Sequence, residues 1–146
     1  MIPHHRAAIE MSKNILQYTT CVPLQEIAEG IVAEQTQSIA DMEAVLPACS
    51  METNSTQALC CYRRQVDRII RTMLTAMDTA CANNNVSADF MREMIPHHRG
   101  AVELSRTALR YPICSGLRPI LDAIITSQTR GICQMQCLLD NMGGGN

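Results

Sequence analysis

Two stretches of this chain are copies of one another. Residues 1–46 align with 94–139 without a gap, and 20 of the 46 paired positions are identical. A duplication of this length makes the repeated segment the unit of folding, so whatever one copy forms is formed twice. Each copy opens on the same hexapeptide, MIPHHR, at 1–6 and at 94–99, and these hexapeptides hold all four histidines: His4, His5, His97 and His98. Further along, the copies share Glu10/Glu103, Ser12/Ser105, Tyr18/Tyr111, Cys21/Cys114, Gln35/Gln128 and Met42/Met135.

The second half of each copy repeats its apolar residues at steps of three and four. These are Leu24, Ile27, Ile31, Ile39, Met42 and Leu46, matched by Leu117, Ile120, Ile124, Ile132, Met135 and Leu139. That is the buried stripe of a helix. One glutamine, Gln35 or Gln128, stands in each stripe. A buried amide needs partners or costs about 1–3 kcal/mol; a histidine of the first helix, or water at the bundle edge, would serve. The spacing predicts helices over 1–18, 23–46 (ended near Pro47), 57–82, from a Ser87 cap to about Tyr111, and 117–142. Short connections between helices favour antiparallel neighbours. Trp is absent and Phe90 is the sole Phe, which suits packed helices better than a β-sandwich. The expected fold is therefore all-α: an antiparallel helical bundle built from two duplicated hairpins with a linking helix. It forms one domain over 1–146, with repeat one at 1–47, a linking loop and helix at 48–86, repeat two at 87–142 and a flexible glycine tail at 143–146.

Several function classes receive no support. With a net charge of −2, nothing global points to nucleic acid or an anionic membrane surface. No apolar run is long enough to span a bilayer. Nucleophilic catalysis is poorly served, because Ser12 and Ser105 lie seven or eight residues from the histidine pairs with no oxyanion-hole turn nearby. Arg64, Arg68 and Arg71 form a basic stripe that reads as a solvated face, or as partners for Glu26, Glu29 and Glu34. The eight cysteines contain no CxxC pair and fit either disulfides or free thiols. Met1 stands where the second copy already has a helix under way, so the chain is expected to be a fragment lacking an N-terminal turn and an export signal.

The hexapeptide itself points to a metal. In the second copy Met91, Met94 and His98 fall at i, i+3 and i+7 and share a face, and Met94 also reaches His97. Adjacent histidines point about 100° apart on a helix, so one ion needs further ligands from methionine or from a neighbouring helix. Pro96 falls inside the predicted fourth helix, where it either bends the helix near Arg92 or marks its first turn. Ten methionines, with Met73 and Met77 an i, i+4 pair on the third helix, fill out a soft ligand menu. Thioether with imidazole suits Cu(I); imidazole also suits Cu(II) or zinc. The Glu-x-x-His spacing of diiron bundles is missing. Methionines also fill cores, but two adjacent imidazoles are costly to bury for packing alone.

The segments "DFMREMIPHHRGAVELS" at 89–105 and "ILDAIITSQTRGICQMQCLL" at 120–139 resemble the domain-of-unknown-function 305 family. Its pattern is Asp, Phe, then Met-Ile-x-His-His, a small residue and Ala, with Gln and Met in the next helix. The resemblance implies a ferritin-like bundle and, from characterised relatives, extracytoplasmic copper binding through His and Met with a role in copper tolerance. Carried onto this sequence, the candidates are Met94, His97 and His98, with Met1, His4, His5 and Met11 in the first copy. The chain departs from the pattern at Leu104, where Met is usual, and at Ser38 and Gly131, where Glu is usual. The expectation is a non-catalytic copper-binding protein. The alternative is a structural module, able to form a homo-oligomer, whose histidines are hydrogen-bonded core or interface groups.

Overall fold

The computed structural model describes residues 1–50, 53–80 and 82–143. Its five helices are α1 Ile2–Ile15, α2 Val22–Cys49, α3 Thr56–Asp78, α4 Val86–Ala108 and α5 Leu117–Gly143, with no strand among the described residues. The chain is all-α, as expected. Residues 51 and 52 of the expected linking loop, Cys81, and tail residues 144–146 lie outside the described residues.

Several helix ends differ from the sequence expectation, each for a local reason. Asn85, rather than Ser87, caps α4: its Oδ1 accepts from the backbone N–H groups of Ser87 and Ala88, both at 3.1 Å. Ser87 instead turns inward, and its hydroxyl meets that of Thr19 at 2.7 Å in the α1–α2 turn. Helix α2 runs through Pro47 to Cys49. A proline there removes one helical hydrogen bond near the end of the helix, and the last turn is held by a disulfide from Cys49 to Cys114 in the α4–α5 connection. Closing a ring of 65 residues restricts the unfolded chain by about 4 kcal/mol on the chain-entropy account. Cys21, Cys60, Cys61, Cys133 and Cys137 remain thiols. Helix α3 stops at Asp78, where the Thr79 hydroxyl donates to the Thr75 carbonyl at 2.8 Å.

Each repeat forms a hairpin, α1 on α2 and α4 on α5, and the hairpins meet through α2–α5 and α1–α4 contacts. Those four helices close a ring, and α3 packs against α4 outside it. No residue of α3 is buried. Inside the ring lie two apolar clusters. One joins Ala8, Ile15, Leu24, Ala28, Ile31, Phe90, Met91, Met94, Ile95 and Met135; the other joins Met42, Ala101, Leu121 and Ile124, with Met1 and Ile2 at its margin. The predicted stripe runs out at its far end, for Leu46 is 47% exposed. Arg64, Arg68 and Arg71 are exposed on α3. Glu34, considered above as their partner, pairs with Arg130 of α5 instead.

The two copies diverge where their surroundings diverge. Gly100 replaces Ala7 because α3 packs on α4: a Cβ at Gly100 would stand 3.0 Å from the Cγ of Met73 and 3.3 Å from its Cβ. Gly30 stands opposite Ala123 in the repeat, and a Cβ there would meet nothing within 4 Å. Chemical denaturation should therefore move in opposite directions for two variants. Gly30→Ala should gain up to about 1 kcal/mol from helix propensity. Gly100→Val should lose about 1–3 kcal/mol by overpacking the α3–α4 contact.

Candidate metal centre

Along every helix of the ring, polar side chains separate the two apolar clusters. In α1 they are His4 and His5, in α2 Gln35, in α4 His97 and His98, in α5 Gln128. His5, His97, His98, Gln35 and Gln128 are buried, and His4 is half-buried. A band of imidazole and amide thus crosses the waist of the bundle.

The two hexapeptides meet at this waist. The rings of His4 and His97 stack with centroids 3.7 Å apart and planes inclined by 26°. His4 Nε2 lies 2.9 Å from the backbone oxygen of His97. A carbonyl only accepts, so Nε2 carries the proton and Nδ1 keeps its lone pair. Pro96 does not break α4, which continues through it. Pro3, by contrast, sits in the first turn of α1, where a missing N–H costs nothing. The same proline is therefore an interior residue in one copy and a helix starter in the other.

The remaining polar atoms of the band have few partners. Among the described residues, Nδ1 of His4, His97 and His98, both ring nitrogens of His5, both amide atoms of Gln35, Oε1 of Gln128 and the hydroxyls of Ser12, Ser38 and Ser105 are buried without a hydrogen bond. Neither glutamine bonds a histidine, so that expectation is corrected. Buried polar atoms are nearly always paired in native proteins. Here Nδ1 of each histidine, Oε1 of both glutamines and the hydroxyls of Ser12 and Ser105 recur at equivalent repeat positions, which makes them a feature of the duplicated segment rather than a local accident.

All four imidazoles are held neutral. Burial pushes His4 down to about 4, with its bond to His97 acting in the other direction. Burial and the neighbouring imidazoles push His5 and His98 down to about 3, and lower His97 as well. Neutral imidazole is the form that ligates metals.

Two cavities open from the band. A groove of about 500 Å³ between α1, α3 and α4 is lined by His4 and His97 with the thioethers of Met1, Met11, Met73 and Met77. A cleft between α2 and α5 is lined by His98, Gln35 and Gln128. Gly131 makes room for the imidazole there: a Cβ would lie 3.1 Å from Cδ2 of His98 and 3.3 Å from Nε2. Of the residues singled out in the sequence, His4, His97, Met1 and Met11 share the groove and His98 faces the cleft. Met91 and Met94 are wholly buried in the first apolar cluster. The spacing at Met73 and Met77 was visible in the sequence, but their place beside His4 and His97 depends on how α3 docks. Among the described residues no three of His, Cys, Asp or Glu converge on a point. A metal held in this groove would therefore need thioethers, and the donor set of imidazole and thioether, without carboxylate, fits a soft cation such as Cu(I).

Residues 1–139 match the family described as a domain of unknown function, DUF305, and the chain belongs to that family. No curated protein matches at the sequence level. Among solved structures, CopM in its Cu(II)-bound form is similar at 25% identity and a TM-score of 0.70, over 97% of this chain and 92% of that one. CopM in its Cu(I)-bound form is similar at 26% identity and 0.70, over 99% and 93%. A DUF305 fragment from Deinococcus radiodurans shares the fold at 22% identity and 0.68, over 97% and 91%. No described helix is long and apolar enough to cross a membrane.

The neutral imidazoles fix a pH dependence. An unfolded histidine titrates near 6.5 and the folded ones well below it. Between those values the unfolded chain binds more protons, so stability is complete above about pH 6.5 and falls as the pH drops towards 4. Each imidazole contributes at most about 1.4 kcal/mol per pH unit. Melting of the metal-free protein from pH 7.5 to 4.5 should show a steep fall with proton uptake on unfolding. A flat profile would show that the histidines are solvated.

Proposed function

We propose that this protein binds copper as cargo and performs no chemistry on it, with the groove between α1, α3 and α4 as the principal site. The observation that carries this reading is that His4 and His97 line one groove together with Met1, Met11, Met73 and Met77. Imidazole and thioether in a half-enclosed, largely apolar setting favour Cu(I). A structural zinc site asks for four ligands of the Cys and His kind, which this groove does not assemble. His5 and His98, with Met91 and Met94 in the adjoining core, are a further set of nitrogen and sulfur donors within the same waist. The similarity to CopM in both copper-bound forms agrees with this reading. Copper handling or tolerance outside the cytoplasm is the corresponding role, supported by the Cys49–Cys114 disulfide, a bond that persists in oxidising compartments.

In this reading the residues divide the work. Burial keeps the imidazoles unprotonated, so an ion meets lone pairs without displacing protons. The carbonyl of His97 fixes the tautomer of His4 and leaves Nδ1 as its donor. Met73 and Met77 bring thioethers from a helix that no buried residue anchors. The rival reading, in which the histidines serve only as hydrogen-bonded core groups, has the His4–His97 bond in its favour. Five buried ring nitrogens without partners weigh against it.

Anaerobic Cu(I) titration against a chromogenic chelator tests the proposal. With the free cysteines blocked by alkylation in both proteins, replacing all four histidines by alanine should abolish competitive binding. The Met73→Leu/Met77→Leu variant should fold normally and bind at least about tenfold more weakly, since loss of even supporting residues around metals costs 10–100-fold. Equal affinity for wild type and the four-histidine variant would sink the idea. Lost stability in that variant, without any effect of copper on wild type, would favour the structural module.

A further inference from the structure

Cys133 and Cys137 lie outside the waist and play no part in the groove. Both are exposed thiols on α5, four residues apart and hence on one face. Their repeat equivalents in α2 are Ala40 and Ala44. The duplicated segment therefore folds with methyl groups at these positions, and the second copy carries two sulfurs there that its fold does not need. The geometry points to a surface site in which the Cys133 and Cys137 thiolates bind one univalent soft d10 cation, Cu(I) or Ag(I), in two-coordinate fashion.

Distances separate this role from a disulfide. Helical neighbours at i, i+4 hold their Cβ atoms about 5–6 Å apart. A disulfide needs about 3.5–4.5 Å between Cβ atoms, so the pair does not close on itself within an intact α5. The zinc–thiolate bond is about 2.3 Å long; with bonds of about that length to the soft cation, a linear S–M–S unit places its sulfurs roughly 4.6 Å apart, within reach of that Cβ spacing. The amide of Asn141 donates to Cys137 Sγ at 3.8 Å, a contact that a thiolate would keep. The nearby carboxylate of Asp140 is occupied by Gln136 Nε2 at 2.9 Å, and hard oxygen is in any case a poor ligand for such an ion. Binding is a simple exchange: two S–H protons leave to solvent, two metal–sulfur bonds form, and no oxidation state changes.

Site-resolved alkylation tests this site separately from the groove. The whole chain is exposed to Cu(I) without oxygen and then to a thiol-alkylating reagent, and each cysteine is read by peptide mass spectrometry. Cys133 and Cys137 should be protected together, at least tenfold, while Cys60 and Cys61 react at their metal-free rate. Cys133→Ala/Cys137→Ala should bind one Cu(I) fewer and melt as wild type does, because Ala40 and Ala44 already occupy the matching positions. The variant with all four histidines changed to alanine should keep the protection. Unchanged alkylation of Cys133 and Cys137 in wild type, equal protection at Cys60 and Cys61, or loss of protection in the four-histidine variant would each overturn the assignment.

Discussion

Burying imidazole in the middle of a helical ring is the constraint on which this molecule depends. Four histidines and two glutamines occupy the plane where an ordinary bundle would place leucine. Their dehydration keeps the rings neutral, and neutral rings stack and present lone pairs where charged ones would repel. The apolar clusters on either side supply the burial that makes such a band tolerable. Because the band is duplicated, its cost is met twice, and the first hexapeptide lies against the second where His4 meets His97.

Much of the fold was legible from periodicity. The repeat and its steps of three and four identify the hairpins, because a buried stripe has to recur with the helical turn. Helix ends were less legible. Asn85 displaced Ser87 as cap because Thr19, distant in sequence, offers the Ser87 hydroxyl a buried partner. Pro47 reads as a stop, yet a covalent bond at Cys49 holds the turn beyond it. At the site, the four histidines announced themselves by being the only ones. The contribution of α3 did not, because a helix that packs mainly on one neighbour carries no pattern naming the groove it will line.

The differences between the copies are as informative as the identities. Gly100 against Ala7 records the arrival of α3, and Gly131 against Ser38 records the room given to His98. Both follow from asking what a methyl group would meet. A perfect repeat would give a symmetric ring; the chain instead uses α3 to make one opening of the waist unlike the other, with methionine-rich walls on one side and amides on the other.

The disulfide has a topological consequence. Cys49 and Cys114 close the chain into a covalent ring that contains the whole of α3 and α4. Helix α3 is thus a bead on a closed loop rather than a segment strung between two ends. A single backbone cut anywhere between those cysteines opens the ring but leaves one covalent molecule. A protease that nicks either connection of α3 leaves a product that separates into two pieces only after reduction. The least buried helix of the protein is thereby secured without relying on its own packing.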